Sequence, residues 1–171
     1  MSENKITKNP EMIIAVSALF VSLVTVVISI YSAHIDRTYS RASVWPRLEV
    51  FRSHGKGFFE YGVTNNGTGP ALIKYAKIKD NNKIINYWNE IPMIGNFTQS
   101  HIGTRILPSL ATINPIKLTG SVSAKMVKID ENLTIELCYC SIYEECWVID
   151  RSNNPTPVEL CTINDADRFL Q

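Results

Sequence analysis

Between Met12 and Tyr31 the chain runs without a charged residue, and no other feature limits its fold so strongly. About 20 helical residues at about 1.5 Å rise span about 30 Å, the thickness of a bilayer hydrocarbon core. Glu11 bounds the run on one side, Asp36 with Arg37 on the other, and Tyr31 stands where an interfacial aromatic belongs. Buried helices of soluble proteins seldom continue this far without a charge. A cleaved signal peptide would use Lys5 and Lys8 as its basic start, but its apolar core covers only about 7–15 residues and ends in small side chains. Tyr31-Ser32-Ala33 puts a bulky ring at that position. The expectation is an uncleaved single-pass anchor over residues 12–31, preceded by a tail of residues 1–11, with the lipid bilayer as partner.

Within the anchor, Ala15, Ala18, Ser22, Thr25, Ser29 and Ser32 recur at alternating steps of three and four, which places small side chains on one stripe. Such a seam suits helix self-association, with Ala18, Ser22, Thr25 and Ser29 at its centre and a homo-oligomer as the result. The competing reading is that the hydroxyls bond back to their own helix. Orientation stays open. Arg37, Arg41 and Arg47 after the helix outnumber Lys5 and Lys8 before it, a bias toward a cytoplasmic C-terminal side. Paired cysteines would instead fit an oxidising compartment.

From Ser32 to Ser43 the chain is polar and free of Gly and Pro, so the helix can continue as a tether over residues 32–45, until Trp45-Pro46 ends it. The pattern then changes to period two. Leu48, Val50 and Arg52 alternate with Glu49 and Phe51 in a first strand, and Phe58 to Asn65 forms a second with a break near Gly62. Asn65-Asn66-Gly67-Thr68-Gly69-Pro70 is a dense turn cluster. In the third strand, Ala71 to Lys79, Leu72 and Lys74 alternate against Ile73 and Tyr75. A turn at Asp80–Lys83 leads to a fourth strand at Ile84–Trp88, and Asn89 to Arg105 reads as a short helix or a long loop. Ile106–Ser109 and Thr112–Leu118 suggest one strand around a proline corner, and Leu133–Ser141 and Cys146–Asp150 are the last two. The predicted fold is a single transmembrane helix followed by a mainly-β domain, residues 46–152, built as an antiparallel sandwich. Residues 153–171 form a C-terminal tail that contains Pro155 and Pro157 and in which Val158 to Leu170 is one terminal helix or an irregular segment. About 125 residues beyond the anchor and tether suffice to bury a core.

Three stretches carry a resemblance: Tyr39 to Leu48 (YSRASVWPRL), Asn65 to Ile73 (NNGTGPALI) and Cys138 to Trp147 (CYCSIYEECW). Across most of its length the chain resembles a widespread group of uncharacterised small bacterial proteins, which have one N-terminal membrane helix and an immunoglobulin-like β domain. The resemblance implies that architecture and a single-pass place in a bacterial inner membrane, and it implies no activity. By analogy alone, some bacterial phage-defence effectors also join a membrane helix to a small sensing domain.

The four cysteines are the main candidates for chemistry. With the loop centred on Tyr143, Cys140 and Cys146 face each other across a hairpin, close enough for a disulfide, which would leave Cys161 as a partner for Cys138. Buried thiols and a metal site are the alternatives, although Cys-x-Cys lacks the usual knuckle spacing and no histidine lies nearby. His34, His54 and His101 are far apart in sequence and pair with no nucleophile and orienting acid. Gly67-Thr68-Gly69-Pro70 lacks the Lys-Ser/Thr ending of a phosphate loop. A net charge of +1 supplies no field for nucleic acid, and none is expected as a partner. No metal and no cofactor are predicted.

The chain therefore reads as a non-enzymatic, membrane-anchored interaction or sensing module for an unknown protein or ligand. Its binding candidates are Asn65, Asn66 and Thr68 in the turn and Tyr143 and Glu144 at the hairpin tip, placed on opposite ends of the sandwich. The alternative is a membrane-perturbing effector of a phage-defence (abortive infection) system, acting through oligomerisation of its helix.

Overall fold

The computed structural model describes residues 10–92 and 95–170. The start of the N-terminal tail, with Lys5 and Lys8, lies outside them. The chain divides into two compact units, residues 1–42 and 43–171.

The first unit is helical. Helix α1 (Pro10–Ser43) is 34 residues long and opens on a proline, whose missing N–H costs nothing in a first turn. Glu11 in the first turn and Arg41 in the last complement the helix dipole. Its most apolar window has a mean hydropathy of 2.8 and is 0% buried, so this helix is long and apolar enough to cross a membrane. Ile14, Leu19, Phe20, Val21 and Leu23 are all exposed, and an apolar surface on every side is what lipid contact requires. The Ser22 hydroxyl donates to Leu19 O, Thr25 to Val21 O and Ser29 to Thr25 O, each at 2.8 Å. Three hydroxyls of the small-residue stripe, those of Ser22, Thr25 and Ser29, thus spend their donors on their own helix.

The second unit holds two antiparallel sheets around one core. Strands β1 (Leu48–Gly55), β2 (Phe58–Asn65), β5 (Phe97–Gln99) and β7 (Thr112–Thr119) form the first, in the order β1-β2-β7-β5. Strands β3 (Ala71–Asp80), β4 (Lys83–Ile85), β6 (Arg105–Leu107), β8 (Leu133–Cys140), β9 (Cys146–Asp150) and β10 (Thr156–Val158) form the second. Its order is β10-β9-β8-β3-β4, with β6 also paired to β3. Period-two alternation drives the assembly. Leu48 and Val50 on β1, Phe59 and Tyr61 on β2, Ile116 and Leu118 on β7 meet Ile73 and Ile78 on β3, Ile135, Leu137 and Tyr139 on β8 and Ile149 on β9 in one buried cluster. Trp88 and Phe169 complete it, with ring centroids 4.9 Å apart. Asn89 to Arg105 contributes a short 3-10 turn (Trp88–Glu90) and β5, and Met93 and Ile94 lie outside the described residues.

Three features depart from the sequence expectation. First, Ile106–Ser109 and Thr112–Leu118 are not one strand: β6 joins the second sheet and β7 the first. Second, Ser121–Asp130 is a helix, α2, not anticipated at all. Third, the register of β3 against β8 shifts between Ile73 and Tyr75, so Ile73, Ala76 and Ile78 face the core. Tyr75 therefore leaves the face of Ile73, and its hydroxyl donates to Glu136 at 3.0 Å on the outer side.

That placement has a pH consequence. Burial, then the Glu136 carboxylate, pushes the Tyr75 phenol up to about 12. In the unfolded chain a tyrosine titrates near its ordinary value of about 10. Between about pH 10 and 12 the unfolded chain loses a proton that the folded chain keeps, so stability falls as pH rises through that window, by on the order of a few kcal/mol in all. Urea unfolding at about pH 9 and 11 measures this slope, and Tyr75→Phe should flatten it.

The tail closes the outer face of the second sheet as a strap. Strand β10 pairs with β9, Cys161 is disulfide-bonded to Cys138, and Lys77 Nζ bridges Asp167 Oδ2 at 2.7 Å. Phe169 N donates to Ala76 O at 2.9 Å and carries its ring into the core. Asn153 guards the free edge of β1: its Oδ1 accepts from Val50 N at 2.8 Å and its Nδ2 donates to Val50 O at 3.0 Å. Near the start of β8, Asp130 is fully buried and accepts from the Tyr61 hydroxyl while pairing with Arg52 and Arg151.

Candidate binding site at the hairpin end

The register of β3 brings three loops to one end of the β domain. Leu72 lies opposite Cys140 and Ala71 opposite Leu107, so the Asn65–Pro70 turn, the hairpin tip at residues 141–145 and the loop after β6 are neighbours. The turn and the tip therefore share an end, which corrects the expectation of opposite ends. The reason is topological: β2 and β8 run toward this end in different sheets, and both chains turn there. Val44, which follows the last residue of α1, enters at this end as well, since Leu48 pairs with Asn65.

The turn itself is a clasp for the entering chain. Asn66 N donates to Arg47 O at 2.7 Å and Thr68 N to Trp45 O at 3.0 Å. A Cβ on Gly67 would lie 2.2 Å from Trp45 O, and one on Gly69 would lie 1.8 Å from Val44 O, so both positions require glycine for close backbone approach. Asn65 is fully buried. Its Oδ1 accepts from Arg47 N and Gly67 N at 3.1 and 3.0 Å, and its Nδ2 donates to Gly69 O, Leu107 O and Pro108 O at 2.8, 3.1 and 3.2 Å. It is the joint of this end and offers nothing to a ligand. Asn66 is exposed but holds Glu49 at 2.7 Å, and Thr68 is exposed beside it.

The hairpin tip is rigid for its own reasons. Cys140 and Cys146 are directly opposed and disulfide-bonded, with Cα atoms 4.0 Å apart. The buried Ser141 hydroxyl accepts from Tyr143 N and Glu145 N at 3.2 and 3.3 Å, and Glu144 takes a left-handed φ of 63°. Trp147 behind the tip packs on Tyr139 and on Trp45, with centroids 5.7 and 5.0 Å apart. All four cysteines are in disulfides, which leaves no thiolate as nucleophile or metal ligand in this state.

Between the tip and the strap lies an open cleft of about 270 Å³, floored by Cys140, Cys146 and Ser141. Leu72, Ile142 and Leu160 give it apolar walls, and Lys74, Glu144 and Glu159 add charges of both signs. Ile142 is 50% exposed, Tyr143 42% and Leu160 68%, an apolar concentration on a surface where long side chains need a reason. Of the residues predicted from sequence, Glu144 lines the cleft, and Tyr143, exposed on the same tip, does not. Leu72, Ile142 and Leu160 were not predicted. A signal existed for Leu160, because pairing Cys161 with Cys138 carries its neighbour to the hairpin. Comparison with protein-family models, with curated proteins and with solved structures finds no match to this chain.

Proposed function

We propose that this chain is a non-enzymatic membrane-anchored binding module of a bacterial inner membrane, whose immunoglobulin-like domain docks a segment of another protein in the cleft beside its hairpin tip. The observation that carries this is the cleft: exposed apolar side chains beside a tip that a disulfide, a serine-centred turn and the tilted contact of Trp45 with Trp147 keep stiff. Binding sites are built this way because a rigid tip loses little entropy when a partner arrives. An open cleft of about 270 Å³ suits one or two anchoring side chains of a protein.

Strand order supports the immunoglobulin-like part. If β1, β2, β5 and β7 stand for strands A, B, D and E, and β3, β8 and β9 for C, F and G, the two sheets run ABED and CFG as in that sandwich. Strands β4, β6 and β10 and helix α2 are additions, and the disulfides lie on the outer face of the second sheet rather than between the sheets. The resemblance of the three sequence stretches supports the bacterial membrane. The effector alternative is left with the stripe of small residues as its support, since the hydroxyls bond to their own helix.

Ile142→Asp with Leu160→Asp should abolish association of the membrane-extracted full-length protein with its partner, at least about 10-fold in affinity, while leaving thermal unfolding within about 1 kcal/mol of wild type. Native gel electrophoresis reads the complex directly. A complex that survives the double substitution moves the binding surface elsewhere.

A further inference from the structure

Four sulfur atoms converge on the outer face of the second sheet. Cys138 and Cys140 alternate onto that face of β8, Cys146 lies opposite Cys140 on β9, and Cys161 reaches them from the strap. Across the two disulfides, Cys140 Sγ lies 3.7 Å from Cys161 Sγ, in van der Waals contact. The sulfurs of Cys140, Cys146 and Cys161 all lie within 4.8 Å of one another. Cys138 is fully buried, Cys140 and Cys146 line the open cleft at 3% and 5% exposure, and Cys161 is half-buried. Disulfides exchange when a thiolate meets a disulfide sulfur, and access decides which bond reacts.

We propose that the two disulfides are an exchange-coupled pair, through which a dithiol reductant entering the cleft opens the Cys138–Cys161 bond and frees the buried Cys138. A thiolate of the reductant attacks Cys146 Sγ, the Cys140–Cys146 bond breaks, and Cys140 leaves as a thiolate. That thiolate attacks the adjacent Cys161 Sγ, forms Cys140–Cys161 and expels Cys138, which takes up a proton. The second thiol of the reductant then displaces Cys146 as a thiol, and the reductant departs as its own disulfide. Two electrons have passed to the protein, which now carries thiols at Cys138 and Cys146. The strap stays tied, but to Cys140, nearer the hairpin tip. Glu159 and Leu160 precede Cys161 and form one wall of the cleft, so the cleft changes shape with the exchange. In that consequence the inference rests on the cleft being a binding site; the sulfur chemistry does not.

Cys146→Ser in the full-length protein leaves Cys140 as the lone thiol beside Cys161. After acid quenching, alkylation and chymotryptic mapping, a Cys140–Cys161 bond should be found together with Cys138–Cys161, with alkylation divided between Cys138 and Cys140. In Cys140→Ser/Cys146→Ser, which has no relay thiol, limiting dithiothreitol should reduce Cys138–Cys161 at least about 10-fold more slowly than in wild type. A Cys146→Ser protein alkylated only at Cys140, or a double variant reduced as fast as wild type, overturns the coupling. Circular dichroism shows whether each variant folds, and the double variant carries the test if Cys146→Ser does not. Loss of exchange would leave the Ile142/Leu160 result untouched, so the two readings fail separately.

Discussion

Asn65→Ala is expected to lower the stability of the full-length protein by about 3–5 kcal/mol, while the neighbouring Asn66→Ala changes it by no more than about 0.5 kcal/mol. The alanine strips the partner from two backbone N–H groups, Arg47 and Gly67, and takes a donor from the Gly69, Leu107 and Pro108 carbonyls, the last of which keeps Ala111 N at 3.3 Å. Each unsatisfied buried group costs about 1–3 kcal/mol, and local relaxation that admits water keeps the sum below the simple total. Against a domain stability of about 5–15 kcal/mol the change is large. It should also loosen the segment that enters from α1, because Arg47 is released with the turn. The Asn66 side chain makes two exposed contacts, donating to Glu49 and accepting from the Thr64 hydroxyl at 3.4 Å, and water can replace both. Urea unfolding of both variants in detergent, with the disulfides intact, separates the joint from its neighbour. Equal losses at the two positions would contradict the assignment.

Asp130→Ala is expected to cost about 3 kcal/mol or more, and Arg52→Ala about 1 kcal/mol or less. Asp130 has no exposed side-chain surface and sits between two guanidinium groups and a phenol, with Arg151 Nη2 at 3.0 Å. Burial pushes its carboxyl above the ordinary range while Arg151 pulls it down. Removing the one anion leaves Arg151 and the Tyr61 hydroxyl without their partner, the costly way to break a buried pair. The Arg52 side chain is 42% exposed and can hydrate when its partner is gone, and Arg151 still covers Asp130. Arg151 also donates to Asp130 O and Leu133 O at 2.8 Å, tying the end of α2 to the start of β8. Thermal unfolding of Asp130→Ala, Arg52→Ala and the double variant checks the asymmetry, and a double variant no worse than Asp130→Ala alone would show that the two residues share one interaction.

Much of this architecture was legible because it follows from periodicity. A charge-free run of bilayer length and strands such as β2 and β9, bounded by turn residues, announce themselves in a single sequence. What escaped has physical causes. Val122, Met126 and Ile129 do recur at helical spacing in α2, but serines, β-branched residues and a Gly120 N-cap without a side-chain bond make the helix weak locally. It is held by packing on the core. The bulge that turns Tyr75 outward is set by pairing with β8, a partner some sixty residues away, and no local signal marks it. Asn65 and Asn66 are the same residue type in the same turn. Only the approach of Val44–Arg47 and of the loop after β6 decides that one is a buried joint and the other a surface residue. The cleft was half visible for the same reason: its tip is local, while its far wall arrives on a strap fixed by a long-range disulfide.

The most direct measurement is site-specific photocrosslinking of the full-length protein in its native membrane, with the photoreactive residue placed at position 142 or 160 and, for comparison, at position 83. Lys83 turns from β3 into β4 at the far end of the second sheet, level with Leu133. A discrete protein adduct from 142 and 160 but not from 83 is the predicted result. Equal adducts from all three positions, or adducts to lipid alone from 142 and 160, would contradict a protein-binding hairpin end.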